Sequence, residues 1–93
     1  MEQKTNDQDN RVYVSVMVCM DEKGNVIPQS IQWLDGRHFA IERIWDIRHS
    51  CPFGHGVKGD MYIVKIGGKN RNLYFEREMK PQSLGRWFVE GKG

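Results

Sequence analysis

Three observations predict an all-β fold, a small antiparallel meander of about six strands rolled into an SH3-like or OB-like barrel, closed or partly open. Residues 11–20 place a valine or methionine at every second position, which is the period of two that a strand requires. Asp35-Gly36 separates two apolar runs, and this dipeptide is a strong short-range signal for a hairpin. No stretch has a helical period, so an apolar sheet face must be covered by rolling the sheet up.

The chain of 93 residues is long enough for one small domain. Residues 1–10 are polar and aperiodic and are predicted to form a disordered tail, and residues 11–90 a single β domain. The structural alternative to a barrel is an open sheet that dimerises through the valine-rich first strand, because an exposed strand edge is a template for pairing.

The first strand is predicted at residues 11–20, where stiff β-branched valines suit a pleated surface better than a helix. The turn that follows, residues 21–25, places Gly24 where a positive φ is expected. The second strand, residues 26–34, contains Pro28, which has no amide hydrogen and must lie at the strand's start, at an edge or at a bulge.

The third strand, residues 37–49, follows a turn centred on Asp35-Gly36. A two-residue type I′ turn is predicted there, and it requires a positive φ at both central residues. One face of the strand is apolar and consists of Phe39, Ile41, Trp45 and Ile47. Ile44 interrupts this alternation, which predicts a bulge or bend near Arg43-Ile44.

Three shorter strands complete the predicted fold, at residues 61–66, 72–78 and 86–90. The predicted connections are a glycine-rich loop at residues 50–59, a turn at 67–71 and a loop at 79–85. Because so small a chain needs its large apolar groups inside, five aromatic residues are expected in the core. They are Trp33, Phe39, Trp45, Phe75 and Trp87.

Composition limits the compartment and the partners. No apolar run approaches the roughly 20 residues that span a bilayer. The polar N-terminus is not a signal peptide, so we expect a cytoplasmic protein without a membrane partner. Cys19 and Cys51 fit two free thiols in that compartment, although a single bridge between them is left open. The net charge is +2, with residues 1–10 at −2 and the remainder at +4, so the body is only mildly basic.

Residues 54–59 have the glycine pattern G-x-G-x-x-G, which binds a dinucleotide only when it follows a strand and opens a helix. The residues that follow are largely β-branched and aromatic, so no helix N-terminus is available to hold a pyrophosphate. We therefore expect a loop between two strands, and no cofactor.

His49, Cys51 and His55 are close in sequence and are residue types that bind zinc, to which Cys19 would add a fourth ligand. Their spacing is not that of a zinc finger or ribbon, so ordinary loop residues are the favoured interpretation. The same loop offers the only candidate pair of nucleophile and base, Cys51 with a neighbouring histidine, and nothing places that thiol in an electropositive pocket. We expect no catalytic residue and no enzymatic activity.

Basic and aromatic residues interleave through most of the chain. Small β-barrels bind single-stranded nucleic acid by stacking bases on aromatic rings within a basic groove. The candidate binding surface comprises Arg37, Arg43, Arg48, His55, Lys58, Tyr62, Lys65, Arg71, Tyr74 and Arg77. Twelve acidic residues offset the cations of the chain, so a solvated charged face is the plainer interpretation.

Seven stretches carry a resemblance to known proteins. They are Val26-Ile27-Pro28, Trp33, Asp35-Gly36-Arg37, Ile41, Tyr62-Ile63-Val64, Leu73-Tyr74-Phe75-Glu76 and Arg86-Trp87-Phe88-Val89-Glu90. In this order they resemble a family of small uncharacterised bacterial β-rich proteins. They are also loosely similar to the β-rich C-terminal tail of some Y-family translesion polymerase homologues. The resemblance implies a stand-alone β domain without catalytic residues, and a remote connection with DNA repair.

These observations favour a non-enzymatic β-barrel interaction module that binds a protein partner or a second copy of itself. The first alternative is a barrel that binds single-stranded nucleic acid, in a DNA-repair context. The second alternative is a small metal-binding protein that uses the loop with His49, Cys51 and His55.

Overall fold

The computed structural model describes residues 10–54 and 56–91, with Met79 described by its backbone alone. The six strands are β1 (Arg11–Met20), β2 (Val26–Gln32), β3 (His38–Gly54), β4 (Val57–Ile66), β5 (Lys69–Lys80) and β6 (Ser83–Glu90). The all-β prediction is confirmed, and β1 has the predicted bounds. The predicted tail, residues 1–10, lies outside the described residues except for Asn10. No helix in the described ranges is long and apolar enough to cross a membrane.

Each strand pairs antiparallel with the next one in the chain, and β1 pairs with β6 to close the ring. The closing ladder sets Arg11 opposite Glu90 and Val14 opposite Trp87. The predicted six-stranded antiparallel meander, rolled into a small barrel, is therefore confirmed. The alternative of an open sheet is wrong, because the first and last strands are joined.

β1 changes partner in the middle of the strand. Residues 11–14 pair with β6, whereas residues 15–20 pair with β2. β2 in turn pairs with β3 only through residues 30–32. Residues 15–29, here called the arm, comprise this second half of β1, the turn at residues 21–25 and the start of β2, and along them β1 has a strand partner on one side alone.

The core consists of inward side chains from four strands, namely Ile31, Tyr62, Val64, Ile66, Leu73 and Val89. Partly buried apolar residues pack around it, namely Val12, Val14, Val16, Trp33, Phe39, Ile41, Ile44, Phe75 and Trp87. Four of the five aromatic residues predicted for the core are thus in place. Trp87 packs against Tyr62 and Phe75, with ring centroids 5.2 and 4.8 Å away.

Trp45 is the fifth aromatic residue, and its prediction as a core residue is wrong, since it is 50% exposed. The register between β3 and β4 shifts on both sides of Ile44. Ile44 consequently packs against the core, and Trp45 turns to the outer wall. The bulge predicted near Arg43-Ile44 is confirmed, and it changes which side chain faces inward.

The type I′ turn predicted at Asp35-Gly36 is wrong. Gly36 has a φ of 91°, but Asp35 does not have a positive φ. The amide of Gly36 donates a 2.9 Å hydrogen bond to the carbonyl oxygen of Trp33, which closes a β-turn from Trp33 to Gly36. A turn that ends in a left-handed glycine is typical of the three-residue hairpin loop. The dihedrals of a type I′ turn occur instead at Gly67-Gly68, with φ of 59° and 77°.

The prediction of a loop at residues 50–59 is also wrong. β3 continues to Gly54 and β4 begins at Val57, so the two strands form one long hairpin. The glycine pattern at residues 54–59 lies at the turn of this hairpin and at the start of β4, and a strand rather than a helix follows it. Among the described residues of this stretch, 54 and 56–59, no helix begins.

The end of this hairpin bends over the outer wall of the barrel. Ser50 has a φ of 56°, and the ladder is irregular on either side of it. The ring of Phe53 is thereby placed edge-on against Tyr74 and Phe88, at centroid distances of 5.6 and 5.7 Å. Together with Tyr13, these three rings form a second apolar layer on the outside, here called the outer cluster.

An ion cluster borders the outer cluster. Glu76 is only 6% exposed. Its carboxylate accepts hydrogen bonds of 3.0 Å from the guanidinium groups of Arg11 and Arg86, and one of 2.8 Å from Oη of Tyr13. These side chains link β1, β5 and β6, so the cluster ties together the three strands at which the ring closes.

Candidate nucleic-acid interface

One end of the barrel has an apolar cavity with a cationic rim, here called the mouth. The turns from β2 to β3 and from β4 to β5 lie at this end. The cavity has a volume of about 320 Å³ and is lined by Ile31, Trp33, Arg37, Phe39, Ile66, Gly67, Arg71 and Val89. Three of these residues belong to the core, so the mouth offers an apolar floor, two aromatic rings and two guanidinium groups.

Arg37 is held at the mouth by Asp35. Its Nε donates a 2.7 Å hydrogen bond to Oδ2 of Asp35, and its backbone amide donates one of 3.0 Å to Oδ1. The backbone bond first, and then the guanidinium, lower the pKa of Asp35 below its ordinary value, so this carboxylate is ionised at neutral pH. The guanidinium lies 5.4 Å from the ring centroid of Phe39, next to the aromatic wall of the mouth.

Arg71 reaches the mouth from β5. It is opposite Val64 in the ladder between β4 and β5, on the side of the strand that faces inward. Lys69 has the same orientation at the start of β5, beside Ile66, and is exposed. Sequence reasoning selected Arg71 and missed Lys69, although the period of two along β5 relates them.

Trp45 provides a second aromatic surface, on the outer wall. Its indole Nε1 donates a 2.9 Å hydrogen bond to Oδ1 of Asn70, and the guanidinium of Arg43 lies 4.9 Å from its ring centroid. Lys65 is opposite Arg43 on one side and Asn70 on the other. These four residues, here called the platform, adjoin the mouth, because Asn70 precedes the mouth residue Arg71.

The mouth and the platform carry a surplus of positive charge. Their cations are Arg37, Arg43, Lys65, Lys69 and Arg71, and the carboxylates beside them in the sequence are Asp35, Glu42 and Asp46, of which Asp46 pairs with Arg48. Asp35 is bound by Arg37, and Glu42 accepts a 3.2 Å hydrogen bond from the amide of Gly68. Within residues 10–54 and 56–91, no carboxylate forms an ion pair with Arg43, Lys65 or Arg71.

Other residues of the predicted surface lie elsewhere. Tyr62 is buried in the core, and its Oη donates a 3.2 Å hydrogen bond to the carbonyl oxygen of Val26 in the arm. Arg48 is exposed and pairs with Asp46 at 3.3 Å. Arg77 lies at the opposite end of the barrel, where it is engaged by a carboxylate.

That carboxylate belongs to Asp60, which is buried. Arg77 donates a 2.7 Å hydrogen bond to Oδ1 of Asp60, and Nδ1 of His49 lies 3.0 Å from the same oxygen. Burial opposes ionisation of the carboxyl, but the bonds from Arg77 and then His49 outweigh it, so the pKa of Asp60 is lowered. The polar groups here are satisfied by one another, which is typical of a structural cluster.

Tyr74 and Lys58 are also separate from the mouth. Tyr74 is stacked on Phe88 in the outer cluster at a centroid distance of 4.9 Å, and its Oη donates a 3.1 Å hydrogen bond to Glu90. Lys58 is exposed near the end of the long hairpin. The predicted surface is therefore divided, and of its members that the structure describes, Arg37, Arg43, Lys65 and Arg71 come together.

The residues considered for a metal site do not form one in the described part of the chain. No group of three His, Cys, Asp or Glu side chains there is placed to hold a metal ion. His49 engages Asp60, and Sγ of Cys51 donates a 3.4 Å hydrogen bond to the carbonyl oxygen of Arg48. His55, a candidate for this site and for the binding surface, lies outside the described residues. Cys19 and Cys51 are both free thiols.

The platform depends on Trp45, which sequence reasoning assigned to the core. The signal that could have found it was Ile44, whose apolar side chain breaks the alternation of β3. A bulge at that point reverses which side chains face inward, so the neighbouring indole must leave the core.

No family model, no curated protein and no solved structure matches this chain.

Proposed function

We propose that the protein is a non-enzymatic β-barrel module that binds single-stranded nucleic acid across the mouth and the platform. The observation that carries the proposal is the half-exposed indole of Trp45, held by Asn70 among cations without carboxylate partners in the described chain. A nucleobase stacks on such a ring through its π face, while its phosphates interact with the neighbouring cations.

The mouth supplies a second contact. Its cavity of about 320 Å³ is bordered by the rings of Trp33 and Phe39, which suit a second base. Arg37 and Arg71 lie at its rim, and a guanidinium group binds phosphate through two parallel hydrogen bonds. A short strand that runs from the mouth to the platform would use both aromatic surfaces.

An unpaired strand is the favoured ligand because bases in a duplex present their edges rather than their faces to such rings. Specificity for sequence should be low, since stacking accepts every base. A cytoplasmic location and a DNA-repair context, both expected from the sequence, are consistent with this ligand. They make single-stranded DNA the first nucleic acid to test.

The test is fluorescence anisotropy of a labelled oligothymidylate of about 15 nucleotides, within the range that small barrels occupy. We expect binding at low salt and a fall of log K with log salt, with a slope of about −0.7 for each phosphate contacted. Trp45→Ala should weaken binding by about 1–3 kcal/mol, which is the contribution of one stacked base. Arg71→Ala should weaken binding and make the slope less negative.

The matched control is Arg48→Ala, which removes an exposed guanidinium that belongs to neither the mouth nor the platform and is already paired with Asp46. It should leave both the affinity and the salt slope close to those of the wild type. The proposal fails if the oligonucleotide does not bind at low salt. It also fails if Arg48→Ala and Arg71→Ala weaken binding equally, because the cations would then act only through net charge.

A further inference from the structure

The outer side of the arm is a free strand edge. The ladder between β1 and β6 ends at Val14 and Trp87, so residues 15–20 of β1 pair only with β2. Five of these six residues are exposed. Met17, Val18 and Met20 are 68%, 42% and 62% exposed. The most regular apolar strand in the sequence thus ends in an exposed, unpaired edge.

The other strand segments that pair on one side alone are protected. In native sheets, proline and charged side chains keep such edges from pairing with another chain. The protecting residues include Pro28 in β2, Glu42, Arg43, Asp46 and Arg48 in β3, Lys58 in β4, Lys69, Arg71, Arg77 and Lys80 in β5, and Arg86 in β6. Residues 12–20 of β1 contain neither a proline nor a charge. Protection is missing at one edge and present at the others described.

We propose that this edge pairs with the same edge of a second copy of the chain, antiparallel about a two-fold axis. Such pairing sets each side chain of residues 15–20 opposite one from the same short segment, so any charge in it would face a like charge. A segment without charge meets this condition. The product is a continuous sheet in the order β2, β1, β1, β2 across the two subunits.

The contact is short, so the dimer is weak. Six paired residues extend about 20 Å, and the buried surface falls in the range of transient interfaces. Backbone hydrogen bonds supply most of the contact, and the exposed side chains of Met17 and Met20 add apolar area. We therefore expect a dissociation constant in the micromolar range or weaker. The free edge is the side of β1 that faces away from β2, and none of residues 15–20 lines the mouth.

The experiment is sedimentation velocity of the full chain from about 1 µM to about 1 mM, which brackets such an affinity. The wild type should pass from monomer to dimer within this range. Met17→Lys places two lysines near the two-fold axis and should weaken dimerisation at least tenfold. Leu84→Lys is the matched control, because Leu84 is 81% exposed on β6 and the same change there should have no effect.

A distance measurement locates the contact independently of these variants. A spin label on Cys19, in a Cys51→Ser background, reports the separation of the two arms. With residues 15–20 fully paired, the two Cys19 Cα atoms lie roughly 10 Å apart. A monomer throughout the concentration range overturns the proposal. So does a dimer that persists unchanged in Met17→Lys, or one whose labels are far apart.

Discussion

The ring of Phe53 lies directly over the Cα of Gly59, so that a Cβ on Gly59 would be 2.5 Å from Cε2 of that ring. The same Cβ would collide with the carbonyl oxygen of Phe75 on the neighbouring strand. Glycine at this position lets the end of the long hairpin rest against the wall of the barrel. The outer cluster therefore depends on a missing side chain as well as on its four rings.

Gly59→Ala should consequently be strongly destabilising. Phe53 could move away, but the backbone of β5 could not, so the methyl group forces the ladder between β4 and β5 apart. We expect a loss of about 3 kcal/mol in the free energy of unfolding, at the upper end of overpacking effects. Urea denaturation followed by tryptophan fluorescence measures it.

Gly36→Ala is the control for this prediction. Gly36 has a φ of 91°, and nothing lies within 4 Å of a Cβ placed on it. The Gly36→Ala variant should lose about 1–2 kcal/mol in the free energy of unfolding, from backbone strain alone. An equal loss in the two variants would show that the contact between Gly59 and its neighbours is not tight.

Glu76→Gln should destabilise the closure of the ring. The substitution keeps the shape of the side chain but leaves the guanidinium groups of Arg11 and Arg86 without their common counter-ion. Arg11 stays largely buried without its counter-ion, whereas Arg86 is half exposed and remains beside Glu78, so we expect a loss of about 3 kcal/mol, at the lower end of the cost of breaking a buried pair. Thermal and urea unfolding of the variant measure the cost.

Asp46→Asn serves as the comparison, since Asp46 and Arg48 form an exposed pair. Its loss should change the free energy of unfolding by less than about 1 kcal/mol. Similar losses of unfolding free energy in Glu76→Gln and Asp46→Asn would mean that Glu76 is solvated and that its burial is unimportant.

The stability of the protein should fall in acid through Asp60. Its pKa is lowered in the folded state from an ordinary value of 3.8, so the carboxylate stabilises the fold fully above that value. The stabilisation is lost as the pH falls below 3.8 toward the folded-state pKa. Asp60→Asn should cost about 2 kcal/mol near pH 7 and should flatten the acid limb of the stability curve.

Arg77→Met tests the cause of that shift. Without its guanidinium, the pKa of Asp60 should rise, because burial then acts with less opposition. The acid limb should therefore begin at a higher pH than in the wild type, as measured by urea denaturation between about pH 2 and pH 6. An unchanged acid limb in both variants would exclude Asp60 as its source.

The regular parts of this fold could be predicted from the sequence because each depends on local pattern. The alternation in β1 determined its bounds, and Gly24, with a φ of 85°, has the conformation predicted for it. The prediction of a type I′ turn at Asp35-Gly36 was wrong because the same dipeptide also suits the three-residue hairpin loop. The choice between the two loops depends on the register of the flanking strands, which is a tertiary property.

The candidate site was harder to predict, because alternation along a strand does not show which strands are neighbours. Arg43 and Lys65 are 22 positions apart, yet they are opposite each other in the ladder between β3 and β4. Tyr62 and Lys65 are close in sequence, but Tyr62 is in the core and Lys65 belongs to the platform. Only the register of the barrel separates residues that share a face from those that do not.

The closing ladder between β1 and β6 has a consequence for synthesis on the ribosome. Arg11 finds its partner only when Glu90 has been made, 79 positions later. Until then the barrel cannot close, and residues 12–20 of β1, which carry no charge, have one side unpaired along their whole length. Nascent chains should therefore be most prone to aggregate before β6 emerges, and closing the ring should be the late, rate-limiting step of folding.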